Sequence, residues 1–398
     1  MLVYWGLWRI LLEIPLRYRS IFHPLFLREM LCFLTKNSIL ILYKMRGGTP
    51  MQPKKKAAAL LLAFVCFLGA CTPQPRQEIP VKSGMTFAFD TVIEQTWYGE
   101  AGKTAYLDIA KKLGAMESKL SLYRQGSEID RLNQAAGKEY VPLSEDTFQI
   151  LKQAKEWSIA SGGVFDVTIA PVTTLWGITG EDPKVPGEEE LQSALSLVGA
   201  EGILLDEATH SAMLAREGMA VDLGGVAKGM LLDQIRGIAQ EDGVDSGFVS
   251  LGGNILAIGQ KPDGKEFVFG LRDPRGDGGE YLGTLSIPGL TMATTGDYER
   301  FFEQDGVRYH HVIDPRTGYP AKTDLISLTV ISADGGLADY LSTTFFIYGK
   351  EVALQYLDEE EFSLIAVDEE KNVYLSPALV PKFTPNEQKT EYTFHLEG

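Results

Sequence analysis

Cysteine is scarce in this chain. Cys32, Cys66 and Cys71 are the only three in 398 residues, and two of them precede residue 70. If a leader ending near residue 70 is removed, only Cys71 remains, and an internal disulfide is excluded. Positive charge is also short: 37 Lys and Arg face 53 Asp and Glu, a formal net charge of −16. Beyond residue 70 the imbalance grows to 27 basic against 51 acidic residues, or −24. A surface of that sign repels phosphate backbones and excludes DNA or RNA as a partner. Histidine is rare, four after residue 70, and two of these are adjacent, His310 and His311. The apolar run Ala57 to Ala70 has 14 residues, fewer than the roughly 20 that span a bilayer as a helix. No internal repeat is visible, and no linker after residue 85.

What is there begins with an address. Met51-Gln52-Pro53-Lys54-Lys55-Lys56, the apolar run and the closing Leu68-Gly69-Ala70-Cys71 form a signal peptide over residues 51–70. Cys71 directly after the small-residue cleavage point is similar to the lipobox of bacterial lipoproteins, which places a lipid anchor on Cys71 at the extracytoplasmic face of the membrane. Residues 1–50 sit upstream of a complete signal peptide. They read as an extension from a wrongly chosen start codon, the alternative being a membrane-contacting segment with apolar Leu2 to Leu12 flanked by arginines. Residues 71–84, rich in Pro, Gln and Lys, read as a lipidated tether, and residues 85–385 as the domain proper.

The domain mixes both kinds of element. Glu100 to Leu120 has Ala105, Ile109, Leu113, Met116 and Leu120 on one helical face. A second helix starts at Ser144 as its N-cap and stops at Gly162-Gly163, and a third spans Pro186 to Val198. From Gly247 to Ser332 strand-like runs alternate with turns at Pro262-Asp263-Gly264 and Arg275 to Gly279. This is an α+β fold: one domain, a largely antiparallel sheet and flanking helices.

Three segments carry chemistry. Val221-Asp222-Leu223-Gly224-Gly225-Val226-Ala227-Lys228-Gly229 sets a carboxylate, glycines and a lysine at the start of a helix. Close backbone approach, a cation and helix N-terminal amides suit a phosphate or pyrophosphate, although a glycine pair is more often plain turn chemistry. In Gly335 to Tyr348, Leu337, Leu341 and Phe345 mark one helical face, and Asp339 and Thr343 are neighbours on another. A carboxylate and a hydroxyl so placed can share a hard cation such as Mg²⁺. An exposed Asp339 of this kind would be removable without harm to the fold. In Tyr309 to Pro320 the paired histidines offer a proton carrier near neutral pH. No His or Cys cluster completes a transition-metal site.

These segments, in this order, resemble the ApbE family of FAD:protein FMN transferases, from about Phe87 to Gly349. Phe87-Ala88-Phe89-Asp90-Thr91 is similar to the family's opening strand, with Phe89 where Met is common. Leu120-Ser121-Leu122-Tyr123, Ser127-Glu128-Ile129 and Leu132-Asn133 follow. Gly163-Val164-Phe165-Asp166-Val167-Thr168, Trp176-Gly177, Leu251-Gly252-Gly253-Asn254 and Thr295 to Arg300 continue the pattern.

The resemblance implies a cleft between two parts of the domain that takes FAD as substrate. Phe89, Tyr123, Val164, Phe165, Asp166, Asp222, Lys228 and Ile313 would contact it. Mg²⁺ would be held by Asp339, Thr343 and the Gly225 carbonyl. His311 would be the base, with Asp222 the second candidate, and Gly252 to Asn254 and Thr295 to Tyr298 would shape the cleft. The implied reaction moves FMN onto a Ser or Thr hydroxyl of an acceptor and releases AMP. The implied acceptor is a membrane redox subunit with a short Thr-containing motif, as in sodium-pumping or Rnf-type complexes. Two other functions compete: a metal-dependent FAD pyrophosphatase using the same ligands, and a non-catalytic flavin-binding lipoprotein. The intact Asp339, Thr343 and His311 weigh against the second. A transporter's solute-binding lipoprotein fits the anchor but not the motifs.

Overall fold

Alternation along the chain lays out the sheet that carries the site. In a computed structural model, which describes residues 79–396 apart from residue 181, nine strands form the main sheet. They are β1 (Val81–Ala88), β2 (Thr91–Tyr98), β3 (Gly247–Leu251), β4 (Asn254–Ile258), β5 (Thr291–Gly296), β6 (Leu325–Ser332), β7 (Phe362–Asp368), β8 (Asn372–Leu375) and β9 (Thr393–His395). Their order in space is their order in the chain. Every neighbouring pair is antiparallel except β8 and β9, which run parallel. The expectation of an α+β fold with a largely antiparallel sheet therefore holds.

The fold extends past both expected edges of the domain. β1 begins at Val81, inside the stretch read as tether, and β9 lies beyond residue 385. The signal peptide, Cys71 and residues 1–50 lie outside the described residues.

Helices α1 (Gly102–Leu120), α2 (Glu128–Gln134), α3 (Glu145–Ala160), α4 (Ala170–Trp176), α5 (Glu188–Leu195), α6 (Ala227–Glu241) and α7 (Gly335–Tyr348) complete the frame. α1 buries the row expected of it, Ala105 through Leu120. With Leu232, Ile235 and Ala239 of α6 it packs on Ile93, Trp97, Val249 and Leu256 of the sheet. α7 covers the same face further along, with Ala338, Phe345 and Phe346 against Ala293, Leu328 and Val330. On the opposite face a three-stranded sheet (268–272, 281–286, 383–385) sets Leu282, Leu285 and Phe383 against Met292, Ile331 and Ile365. β6 lies between these layers, and all eight of its residues are buried, as a strand covered on both faces requires.

The second part of the domain fills the interval between α1 and α6. α2, α3 and a small antiparallel sheet (141–142, 203–206, 211–214) share one core around Phe148, Leu151 and Leu214. α4 and α5 pack with the hairpin 301–310 around Trp176, whose indole N–H donates to the Gly318 carbonyl at 2.6 Å. The expected helix over 186–198 is shorter, Glu188–Leu195. Ser144 does precede α3, but its hydroxyl meets the Glu128 carboxylate at 3.0 Å and Thr147 instead of a helix N–H.

Two hairpin tips meet the second part. Gly252 and Gly253 join β3 to β4 with φ of 57° and 94°. Phe89 and Asp90 join β1 to β2, both at φ 54°. Two positive φ values are what a two-residue hairpin needs for the strands to keep their twist. Glycine supplies them freely; Phe89 and Asp90 do so at a cost of roughly 1–2 kcal/mol each. The segment Phe87 to Thr91 is thus a strand end and a strained turn, not a continuous strand. The Phe89 N–H is held by Glu117 Oε1 at 2.8 Å.

Candidate functional site

The site is built where α6 and α7 cross. A Cβ on Gly229 would stand 2.1 Å from the Gly335 carbonyl oxygen and 2.6 Å from Asp339 Cβ. Only glycine lets the two helices come this close. The approach delivers Asp339 to the first turn of α6, where Oδ2 accepts the Gly229 N–H at 2.9 Å. Oδ1 accepts from Asn254 Nδ2 at 2.9 Å. Asp339 is only 4% exposed. The expectation of an exposed carboxylate is therefore corrected: it caps a helix N-terminus, where four N–H groups lack intrahelical partners and negative charge is favoured. Gly229, which the sequence reading gave no role of its own, thus brings one helix to another.

Thr343 sits one turn further along α7, with Oγ1 3.2 Å from Thr295 Oγ1, which also bonds Ser342 at 2.8 Å. Gly225 closes this corner: a Cβ there would lie 4.0 Å from Thr343 Oγ1 and 2.9 Å from the Phe165 ring. The donors gathered here are a carboxylate, a hydroxyl and backbone oxygen. Each Asp339 oxygen accepts one hydrogen bond and keeps a further lone pair. Hard oxygen donors of this kind fit Mg²⁺, which keeps part of its shell for water or phosphate. Among the described residues no group of three or more His, Cys, Asp and Glu offers a rival metal site.

These residues line a cavity of about 360 Å³ between the two parts of the domain. The residues expected to contact FAD, hold Mg²⁺ or take the proton all line it: Phe89, Tyr123, Val164, Phe165, Asp166, Asp222, Gly225, Lys228, His311, Ile313, Asp339 and Thr343. Of the residues expected to shape the cleft, Gly252, Thr295 and Gly296 line it, whereas Gly253, Asn254, Asp297 and Tyr298 are not among its lining residues. Phe165 is set edge-on to Tyr340, which stacks on Trp157 at 5.2 Å. Tyr123 is exposed, and its hydroxyl meets Thr179 at 2.9 Å, joining the loop after α1 to the loop after α4.

The charged groups divide the labour. Asp222 Oδ1 accepts the Gly224 N–H at 2.8 Å. Burial pushes its carboxyl up, with Lys228 and Arg300 opposing. Lys228 Nζ donates to the Gly224 carbonyl at 3.0 Å, and Arg300 to the Asp90 carbonyl at 3.1 Å. Neither cation forms an ion pair among the described residues, so both can face an anion. Arg300 lies two residues past the stretch expected to shape the cleft, and the sequence reading gave its charge no role. The signal available was an unmatched arginine eleven residues before His311.

His311 Nδ1 lies 3.2 Å from the Arg300 carbonyl. A carbonyl only accepts, so Nδ1 carries the proton and Nε2 keeps its lone pair. Burial pushes the imidazole down to about 4, helped by His310 and Lys228. Asp166 lines the wall, but its carboxylate is occupied. It accepts from Thr168 N–H and Oγ1 and from Ala200 N–H, at 2.6 to 3.0 Å. The segment after His311 is likewise turn chemistry, with Asp314 and Arg316 paired at 2.8 Å.

An α+β frame with an oxygen-rich corner, two cations without an ion pair among the described residues and a neutral imidazole in one cleft suits an enzyme for a phosphate-bearing substrate. The comparisons narrow the class. The ApbE family profile matches residues 89–366. A Klebsiella pneumoniae FAD:protein FMN transferase is 35% identical over 270 residues, covering 68% of this chain and 84% of that protein. The Treponema pallidum protein of the same name is 32% identical over 317 residues, with 75% and 87% covered. Among solved structures, the ApbE protein of Thermotoga maritima superposes with a TM-score of 0.67 at 32% identity, covering 78% of this chain and 98% of that one. The flavin transferase ApbE of Vibrio cholerae gives 0.68 at 26% identity, with 76% and 99% covered. The chain belongs to the ApbE family.

Proposed function

We propose that the chain is an FAD:protein FMN transferase that moves FMN from FAD to a Ser or Thr hydroxyl of an acceptor protein, with Mg²⁺ in the site and AMP as the second product. The observation that carries this reading is the convergence of Asp339, Thr343, Gly225, Lys228, Arg300 and His311 on one cavity. Membership of a family whose relatives carry this activity in their names supports it.

In this reading each group has a role. FAD enters as substrate, its flavin end against Phe89, Phe165, Val164 and Ile313, and Lys228 and Arg300 meet the pyrophosphate. Asp339, Thr343 and the Gly225 carbonyl would hold Mg²⁺, which supplies charge neutralisation at the pyrophosphate when bound. The acceptor hydroxyl attacks the phosphorus on the FMN side. A new P–O ester bond forms, the bond to the bridging oxygen breaks, and AMP leaves with that oxygen. The hydroxyl proton passes to His311 Nε2, which the Arg300 carbonyl keeps oriented and available. Asp222 is the second candidate for that proton.

The acceptor in this reading is a membrane redox subunit, and the enzyme is held at the same membrane through lipid on Cys71. The test is direct. Purified protein, FAD, Mg²⁺ and an acceptor domain should give a fluorescent acceptor band in a gel and stoichiometric AMP. FMN and AMP released at equal rates with and without acceptor would instead make the protein a pyrophosphatase.

A further inference from the structure

Parity along β1 sets Phe89 apart. Val81, Ser83, Met85 and Phe87 face outward and are exposed, and Ala88 is buried. Alternation would put Phe89 on the outward face beside Phe87 and Met85. It is instead half-buried, packed against the sheet core under α1 and against the core of the second part, and it lines the cavity. The turn makes the difference: φ of 54° at Phe89 and at Asp90 ends the strand and brings the ring inward. A bulky residue with positive φ is strained, and such strain persists only where the surroundings over-determine it.

The surroundings of this turn do so. Glu117 Oε1 accepts the Phe89 N–H at 2.8 Å. Arg300 Nη2 donates to the Asp90 carbonyl at 3.1 Å. The Gly252 tip packs on Thr91, where an added Cβ would lie 2.8 Å from the hydroxyl oxygen. Of these groups, Glu117 is the one placed against its own charge. It lines a cavity that also holds Lys228 and Arg300, and a carboxylate there lowers the attraction for an anion. Its task lies in the turn 28 residues earlier. α1 holds it firmly: Leu113 is buried in the sheet core, and Met116 and Leu120 in the core of the second part.

We infer that Glu117 is a positioning residue for FAD: it holds the Phe89 N–H, fixes the strained turn, and so keeps the Phe89 ring in the cleft wall where the flavin end packs. It acts through Phe89 and by its accepting oxygen, not through its charge. The inference rests on the transferase reading for the identity of the ligand, and adds a residue that shapes the ligand's site without being one of its contacts.

The test is the affinity for FAD, followed by flavin fluorescence in the full chain without acceptor. A hydrogen bond to a charged group corresponds to about a tenfold or larger change in an equilibrium constant, so Glu117→Ala should raise the Kd for FAD about tenfold. Glu117→Asp, one methylene too short to reach the N–H, should do the same although it keeps the charge. Glu117→Gln, which keeps an accepting oxygen at the same reach, should stay within about twofold of wild type. In a Phe89→Ala background Glu117→Ala should add nothing, since the ring it places is gone. In transfer assays KM for FAD should follow Kd, while kcat at saturating FAD stays unchanged. An unchanged Kd in both Glu117→Ala and Glu117→Asp overturns the inference. So does a Glu117→Gln variant as weak as Glu117→Ala, which gives the role to the charge. Additive losses with Phe89→Ala overturn it too, because they put Glu117 on FAD itself. A wild type that binds FAD with this pattern but flavinylates no acceptor overturns the transferase reading alone; one that binds no FAD overturns both.

Discussion

Replacing Asp339 by Ala separates its two duties, because each has its own magnitude. In the protein without metal, the carboxylate accepts the Gly229 N–H and the Asn254 amide, both at 2.9 Å, in a place only 4% exposed. Alanine strands both donors. A stranded buried donor costs about 1–3 kcal/mol, and water from the cavity can serve one of them, so a loss of about 2–4 kcal/mol is expected. At about 2 °C per kcal/mol for a chain of this size, Tm falls by roughly 4–8 °C. Mg²⁺ at a hundred times its Kd adds about 2.7 kcal/mol to the wild type and nothing to the variant, so the gap widens with metal. Asp339→Asn keeps one acceptor and one shape. It should lose about half as much stability and all of the response to Mg²⁺. The assay is thermal unfolding with and without Mg²⁺, beside FMN transfer to an acceptor. A variant as stable as wild type without metal refutes the capping role. A variant whose Tm still rises with Mg²⁺, or that still transfers FMN at the wild-type rate, refutes the metal site.

Other outcomes follow from single contacts. His311→Asn should slow transfer by about 10²–10⁴-fold while FAD, followed by flavin fluorescence, still binds; normal transfer would promote Asp222. In the wild type the imidazole is held down to about 4, so transfer should be flat from about pH 8 to about pH 5 and fail only near pH 4, as the ring takes a proton. A midpoint between about 6 and 7 would show that burial does not act on His311 as described. The same shift makes the unfolded chain bind more protons than the folded one between these values, so stability should decline as pH falls from about 6.5 through 4. Gly229→Ala should cost about 3 kcal/mol or more and abolish transfer, because its Cβ meets backbone of α7. Gly237→Ala, in the same helix with nothing within 4 Å of its Cβ, should stabilise by about 0.5–1 kcal/mol. Equal Tm changes in the two would refute the close crossing. Mass spectrometry of the mature N-terminus should find a diacylglyceryl thioether on Cys71; a soluble product contradicts the anchor.

What could be read from sequence, and what could not, divides by the range of the force involved. α7 was legible to the residue, Gly335 to Tyr348, because its apolar spacing and its glycine stop are local. The row Ala105 to Leu120 was legible for the same reason. The start of β1 was not, since Val81 to Gly84 is read against a Pro- and Lys-rich neighbourhood, while its place is set by pairing with β2 up to Tyr98. β9 is three residues long and is held only by β8, too little pattern to read. Phe89 and Asp90 look like strand until the register forces a two-residue turn on them; Asp90 tolerates it, but Phe89 has no turn propensity to announce it.

Asp339 shows the limit most plainly. Its spacing from Thr343 was visible and its helix was right, yet its exposure was misjudged. Burial there is decided by Gly229, 110 residues earlier, and by Asn254, 85 residues earlier. The sequence reading gives Gly229 no role of its own and takes Asn254 as part of a cleft-shaping turn. Geometry makes them one device: the glycine admits the helix, the helix brings the carboxylate, and the amide fixes its second oxygen. A carboxylate held at both oxygens cannot swing, so a cation it ligates takes its place from the crossing of α6 and α7. The catalytic corner is therefore as rigid as the core beneath it.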